Sequence, residues 1–154
     1  MMDPEQLIVD YGRNRAKEAA AHIARLRDLR QLHESGYTQV ALAKIANVSQ
    51  PTISDMLRRA RVEAPDIRPG THGGTPYEIA VRRAAGELDR SVALRELADW
   101  DYERPAEPNP LPWVNDGAPI VEGSFTMQIG RALADGFLTG EDYDTLLDTL
   151  AENG

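Results

Sequence analysis

From Pro4 to about His33 the chain runs without an internal proline and with a single glycine, Gly12. Proline removes a helix donor, and glycine costs a helix roughly 1 kcal/mol against alanine, so an Ala- and Arg-rich stretch free of both is constrained to one long helix. Asp3 and Pro4 supply its start, an N-cap oxygen followed by a residue whose missing N–H costs nothing in the first turn. In the second half Ile23, Leu26, Leu29 and Leu32 recur at intervals of three, which predicts a buried stripe beside a face of Arg25, Arg27 and Arg30. Such a helix has to pack on other elements.

The following residues punctuate those elements. Gly36 stops the first helix, and Thr38 caps a second, Gln39–Ala46, with Val40, Leu42, Ala43 and Ile45 expected inward. Asn47 breaks it. Ser49 stands as the next N-cap, Pro51 falls in the first turn, and a third helix runs through Thr52 to about Arg61. Pro65, Pro69, Gly70, Gly73 and Gly74 then cluster with linker composition, which divides the chain into a unit 1–64, a linker 65–75 and a unit 76–154. Thr75-Pro76 opens a helix to about Ala85, Gly86 ends it, and another spans roughly Arg90 to Trp100. Pro105, Pro108, Pro110, Pro112 and Pro119 restrict 104–119 to extended or polyproline segments. A second hairpin follows: Ser124 to Asp135, a turn at Gly136, and a helix capped by Thr139 to about Ala151. Ile79, Ala84, Gly86 and Leu88 lie 50 residues before Ile129, Ala134, Gly136 and Leu138, a likeness that duplication and shared turn chemistry explain equally well. The expected fold class is all-α.

Composition narrows the function. Of 154 residues, 42% are hydrophobic and only 6% aromatic, so Ala and Leu must fill the core. The absence of cysteine excludes disulfides, thiolate metal sites and a cysteine nucleophile, and fits a cytoplasmic protein. No run approaches the roughly 18 apolar residues of a membrane span, and the acidic start lacks the order of a signal peptide. The net charge of −8 conceals a split. Residues 1–68 hold 11 Lys and Arg against 9 Asp and Glu, a net of +2, whereas 69–154 hold 6 against 16, a net of −10. A mildly basic front and an acidic back suit a nucleic-acid-reading head with a differently employed tail.

The most informative stretch is Gly36 to Arg59, which reads Gly-Tyr-Thr-Gln-Val-Ala-Leu-Ala-Lys-Ile-Ala-Asn-Val-Ser-Gln-Pro-Thr-Ile-Ser-Asp-Met-Leu-Arg-Arg. Ala43 is small where two helices cross, Asn47 accepts the left-handed conformation of the turn, and Val48, Ile53 and Met56 are expected to lock the second helix against the first. This stretch resembles the helix-turn-helix of phage-repressor-like and XRE-type bacterial regulators, with Asn47 where those families prefer glycine. The resemblance covers about residues 20–61 and implies a three-helix head, with the long first helix as support, that binds double-stranded DNA. It assigns base reading to Gln50, Pro51 and Asp55, and backbone positioning to Gln39, Thr52, Arg58 and Arg59, with Thr38, Lys44, Ser49 and Ser54 as lesser phosphate contacts. The implied output is regulation of transcription, as a repressor. One such unit reads only a half-site, so a homodimer is expected, through the first helix with Ile8, Tyr11 and Ala19 on one side or through the C-terminal hairpins.

The acidic half should face protein rather than phosphate, since Asp99, Asp101, Glu103, Glu141, Asp142, Asp144 and Asp148 would repel the duplex. Trp100, Tyr102, Trp113 and Phe125 gather there either as anchors for a protein partner or as core between the hairpins. In layout the chain resembles antitoxins of bacterial toxin–antitoxin modules, which bind an operator with one part and a toxin with another; that is the alternative reading of function. No catalytic role and no cofactor are expected: His22 and His33 are 11 residues apart on one helix, about 16 Å, too far to share a metal. His72 in Gly-Thr-His-Gly-Gly-Thr lacks the Lys-Ser/Thr of a phosphate loop and reads as linker.

Overall fold

The computed structural model describes residues 3–104 and 121–153. Those residues form seven α-helices and no strand, with one isolated bridge between Glu103 and Ser124. The proline-rich stretch expected to be extended falls mostly outside them.

Helix α1 (Pro4–Glu34) starts where Asp3 accepts a hydrogen bond from the Glu5 N–H and ends at Ser35, followed by Gly36 at φ 109°. Helix α2 (Gln39–Ala46) is capped by Thr38, whose side chain accepts from the Ala41 N–H, and closes on Asn47 in the left-handed region at φ 57°, ψ 47°. Ser49 caps helix α3 (Gln50–Glu63) by accepting from the Thr52 N–H, with Pro51 in the first turn. Leu29, Leu42, Ala43, Ile53 and Leu57 form a small core among these three helices. Each large aliphatic side chain so buried contributes about 1.5–3 kcal/mol. Two expected core residues of α2, Val40 and Ile45, instead stand more than half exposed, and Val48 is also exposed. An eight-residue helix packed against α1 and α3 along one side has room for a narrow buried edge, and Leu42 and Ala43 occupy it.

The second half contains α4 (Pro76–Ala84), α5 (Arg90–Asp99), α6 (Phe125–Ala134) and α7 (Gly140–Asn153). Helix α4 packs on α6 and α5 on α7, and α1 lies against α4. The two hairpin turns share their chemistry. Gly86 and Gly136 take φ 87° and 83°, donating to the carbonyls of Arg83 and Leu133. Ile79 and Ile129 are fully buried at matching places. Thr139 and Asp142 cap α7 reciprocally, each side chain accepting from the other's backbone N–H. Asp142, expected on the acidic surface, is buried and paired with Arg90 at 2.7 Å and Arg83 at 3.6 Å. Its charge bridges the two hairpins.

The segment 65–75 is without helix or strand, yet one core runs across it: Ala16, Ile23, Leu26, Ala60 and Ala64 share a buried cluster with Ile79, Val81, Leu97 and Ile129. Its glycines serve close approach. A Cβ on Gly74 would stand 2.3 Å from the Pro65 carbonyl oxygen, and one on Gly73 3.0 Å from Ile79. His72 belongs to this packed turn, its Nδ1 2.6 Å from Glu96 Oε2 while its backbone N–H donates to Glu96 Oε1. Arg27 and Arg30, read as part of a face beside the buried stripe, turn inward. Arg27 forks onto the fully buried Glu78 at 3.1 and 2.5 Å and donates to the Pro65 carbonyl; Arg30 donates to the Ala64 carbonyl and pairs with Asp66. The Arg30 hydrogen bond holds the Asp66 carboxyl below its ordinary range.

Candidate nucleic-acid interface

Helix α3 has two opposed stripes. Ile53, Leu57 and Ala60 are buried, which fixes the roll of the helix about its axis. The same 3.6-residue period then turns Pro51, Asp55, Arg58 and Val62 outward, flanked by Ser54 and Arg61. Gln50, Pro51, Thr52, Ser54, Arg58 and Arg59 are exposed and Asp55 is half-buried; on the preceding segment Thr38, Lys44 and Ser49 are exposed and Gln39 is half-buried.

A depression of about 440 Å³ brings Gln39 at the start of α2 together with Pro51, Ser54, Asp55 and Arg58 of α3. His33, Leu57 and Arg61 complete its lining, and sequence reasoning placed neither His33 nor Arg61 on this face. Arg61 was legible, being three residues beyond Arg58 on the flank of that stripe; His33 arrives only because α1 ends beside α2, with its Nδ1 3.1 Å from the Tyr37 carbonyl oxygen. Thr38, Lys44, Ser49, Gln50, Thr52 and Arg59 lie outside this lining.

Charges on the face are partly committed. Arg58 pairs with Asp55 one turn back. Arg59 is directed to the flank: its Nε donates to Glu63 at 3.2 Å and its Nη2 lies 3.2 Å from His22 Nε2 of α1. Ser49 Oγ and Thr52 Oγ1 are hydrogen-bonded to each other at 2.9 Å beside the cap. The exposed carboxylates Asp99, Asp101, Glu103, Glu141, Asp144 and Asp148 belong to the second half of the chain.

The aromatic residues of that half pack on the main core. Tyr102 meets Phe125 edge-on at 5.2 Å and donates its hydroxyl to the Leu97 carbonyl, while burial pushes its ionisation up. Phe125 contacts Tyr143, and Trp100 lies under the Arg68 guanidinium at 3.7 Å. Three of the four rings thus cover the hairpins; Trp113 lies outside the described residues. Comparison of the chain with family models, curated proteins and solved structures found no match.

Proposed function

We propose that the chain is a sequence-specific DNA-binding regulator of transcription, a repressor by occupancy, that lays α3 in the major groove. The observation carrying this reading is the division of α3: one stripe wholly consumed by packing, the other turned outward and free of structural duty apart from the Arg58–Asp55 pair. The three-residue connection Asn47–Ser49, made sharp by the left-handed Asn47, leaves the α3 N-terminus at the surface. A helix is about 10–12 Å across and the groove about 12 Å, so α3 fits with its first turns toward base edges. Gln50 can bridge adenine N6 and N7, Asp55 can accept from cytosine N4, and Pro51 offers apolar contact to a thymine methyl. Arg58, Arg59 and Lys44 supply phosphate contacts.

Selection from random duplex DNA with the full chain at moderate salt tests this. Enrichment of a defined sequence, with weaker binding after Gln50→Ala or Arg58→Ala in variants of unchanged helicity, is the expected result. Failure to enrich any sequence overturns the reading.

A further inference from the structure

The first turns of α1 find no partner among the described residues. The first buried residue of this 31-residue helix is Ala16, and every residue from Pro4 to Val9 and from Tyr11 to Arg15 is exposed. Contact with the body begins near Arg13, beside Gly86, and Arg15, which donates to the Asp135 carbonyl and lies over the Phe137 ring. The arm before them, Pro4–Gly12, would extend about 13 Å.

That arm is not built for water. Leu7, Ile8 and Tyr11, at helical spacing on one stripe, are 48%, 71% and 71% exposed. Gly12, one turn beyond Ile8, lies within the helix, and a Cβ added there would meet nothing within 4 Å. Glycine costs an exposed helix about 1 kcal/mol against alanine. The isolated chain gives no reason for that cost; close approach of a second helix does.

Charge names the occupant. Asp3, Glu5 and Asp10 precede Gly12 with no Lys or Arg among them, and Arg13, Arg15 and Lys17 follow it with no intervening acid. Among the described residues none of these six side chains is in an intramolecular salt bridge. A helix with an acidic end, an apolar middle and a basic end is complementary to itself when turned end for end. The geometry points to a second copy of this chain: the α1 arms of two molecules pair antiparallel about a two-fold axis near residues 8–10, Leu7 of each against Tyr11 of the other. This inference stands on α1 alone and does not rest on DNA binding.

Sedimentation of the full chain without DNA, over about 1–200 µM, measures the dimer. Leu7→Glu with Tyr11→Glu should weaken it by at least about 100-fold, because it brings like charges together on the two-fold axis. Both side chains are remote from the core, so unchanged thermal unfolding of the body separates lost pairing from lost folding. Direction is read by cysteine pairing in a chain that has no cysteine of its own. Pro4→Cys and Asn14→Cys chains, mixed and oxidised, should give the 4–14 disulfide and little of either homodimer. Like positions would be offset by 10 residues, about 15 Å along the axis, beyond the roughly 7 Å Cα separation a disulfide spans. A monomer throughout the range, a dimer indifferent to the Leu7 and Tyr11 changes, or absence of the 4–14 product overturns the inference. A Gln50→Ala chain that no longer binds DNA should still dimerise, so failure of one reading is distinguishable from failure of the other.

Discussion

Truncating Glu78 to alanine is the sharpest test of how the chain is held together. The carboxylate accepts four N–H groups: two from Arg27 at 3.1 and 2.5 Å, one from Gly74 at 2.8 Å and one from Arg82 at 3.0 Å. Glu78→Ala strips the acceptor from all of them and leaves the Arg27 guanidinium, 9% exposed, without its counter-charge. Breaking a buried pair by removing one partner costs about 3–5 kcal/mol. For a chain of this size 1 kcal/mol moves Tm by about 2–4 °C, so the midpoint should fall by about 6–20 °C. Urea and thermal unfolding followed by far-ultraviolet circular dichroism measure both. The double variant Arg27→Met with Glu78→Leu, which removes both charges and fills the space, should recover most of the loss. A Glu78→Ala chain within about 1 kcal/mol of the parent would refute the claim that this pair joins α1 to α4.

Other expectations follow from single features. Asn47→Gly should leave stability within about 0.5 kcal/mol, whereas Asn47→Val should cost about 1–2 kcal/mol, because a β-branched residue resists φ 57°; equal effects in urea unfolding would contradict the turn geometry. Asp55→Ala releases Arg58 from its ion pair, and the slope of log K against log salt for DNA binding should steepen by about 0.9; an unchanged slope would remove Arg58 from the phosphate contacts. Burial alone would raise Glu78 and Asp142, but donors from Arg27 and Gly74 to the first, and from Thr139 and Arg90 to the second, hold both below their ordinary 4.5 and 3.8. Folded values below unfolded ones mean stabilisation that is complete above about pH 4.5 and is lost as pH falls through the folded values. Stability in urea that rose on acidification from pH 5 to 3 would contradict this assignment.

The helix boundaries were legible because they are written in local chemistry. Thr38, Ser49, Ser124 and Thr139 each accept from a backbone N–H three residues on, and Asn47 takes the left-handed conformation its side chain tolerates. Burial was legible only where period and polarity agree, as at Ile23, Leu26, Leu29 and Ile53. It failed where tertiary context decides. Val40 and Ile45 are apolar yet outward because α2 is covered on one edge; Arg27, Glu78 and Asp142 are charged yet inward because each finds a partner distant in sequence. The composition of 65–75 suggested slack, whereas backbone approaches Gly74 too closely for a Cβ and Gly73 is tightly packed against Ile79. Of the candidate interface, the outward stripe of α3 could be read from spacing alone, but the internal pairing of Arg58 with Asp55 and the turning of Arg59 toward His22 could not.

The central claim, that the first turns and outward stripe of α3 read bases, is tested most directly by comparing the sequences selected from random duplex DNA by the parent chain, by Gln50→Ala and by Lys44→Ala. The account predicts that Gln50→Ala relaxes preference at one base position, a loss of about 1–3 kcal/mol of discrimination, while Lys44→Ala selects the parent sequence with uniformly weaker binding. Identical preferences for the parent and Gln50→Ala, with affinity unchanged, would contradict it.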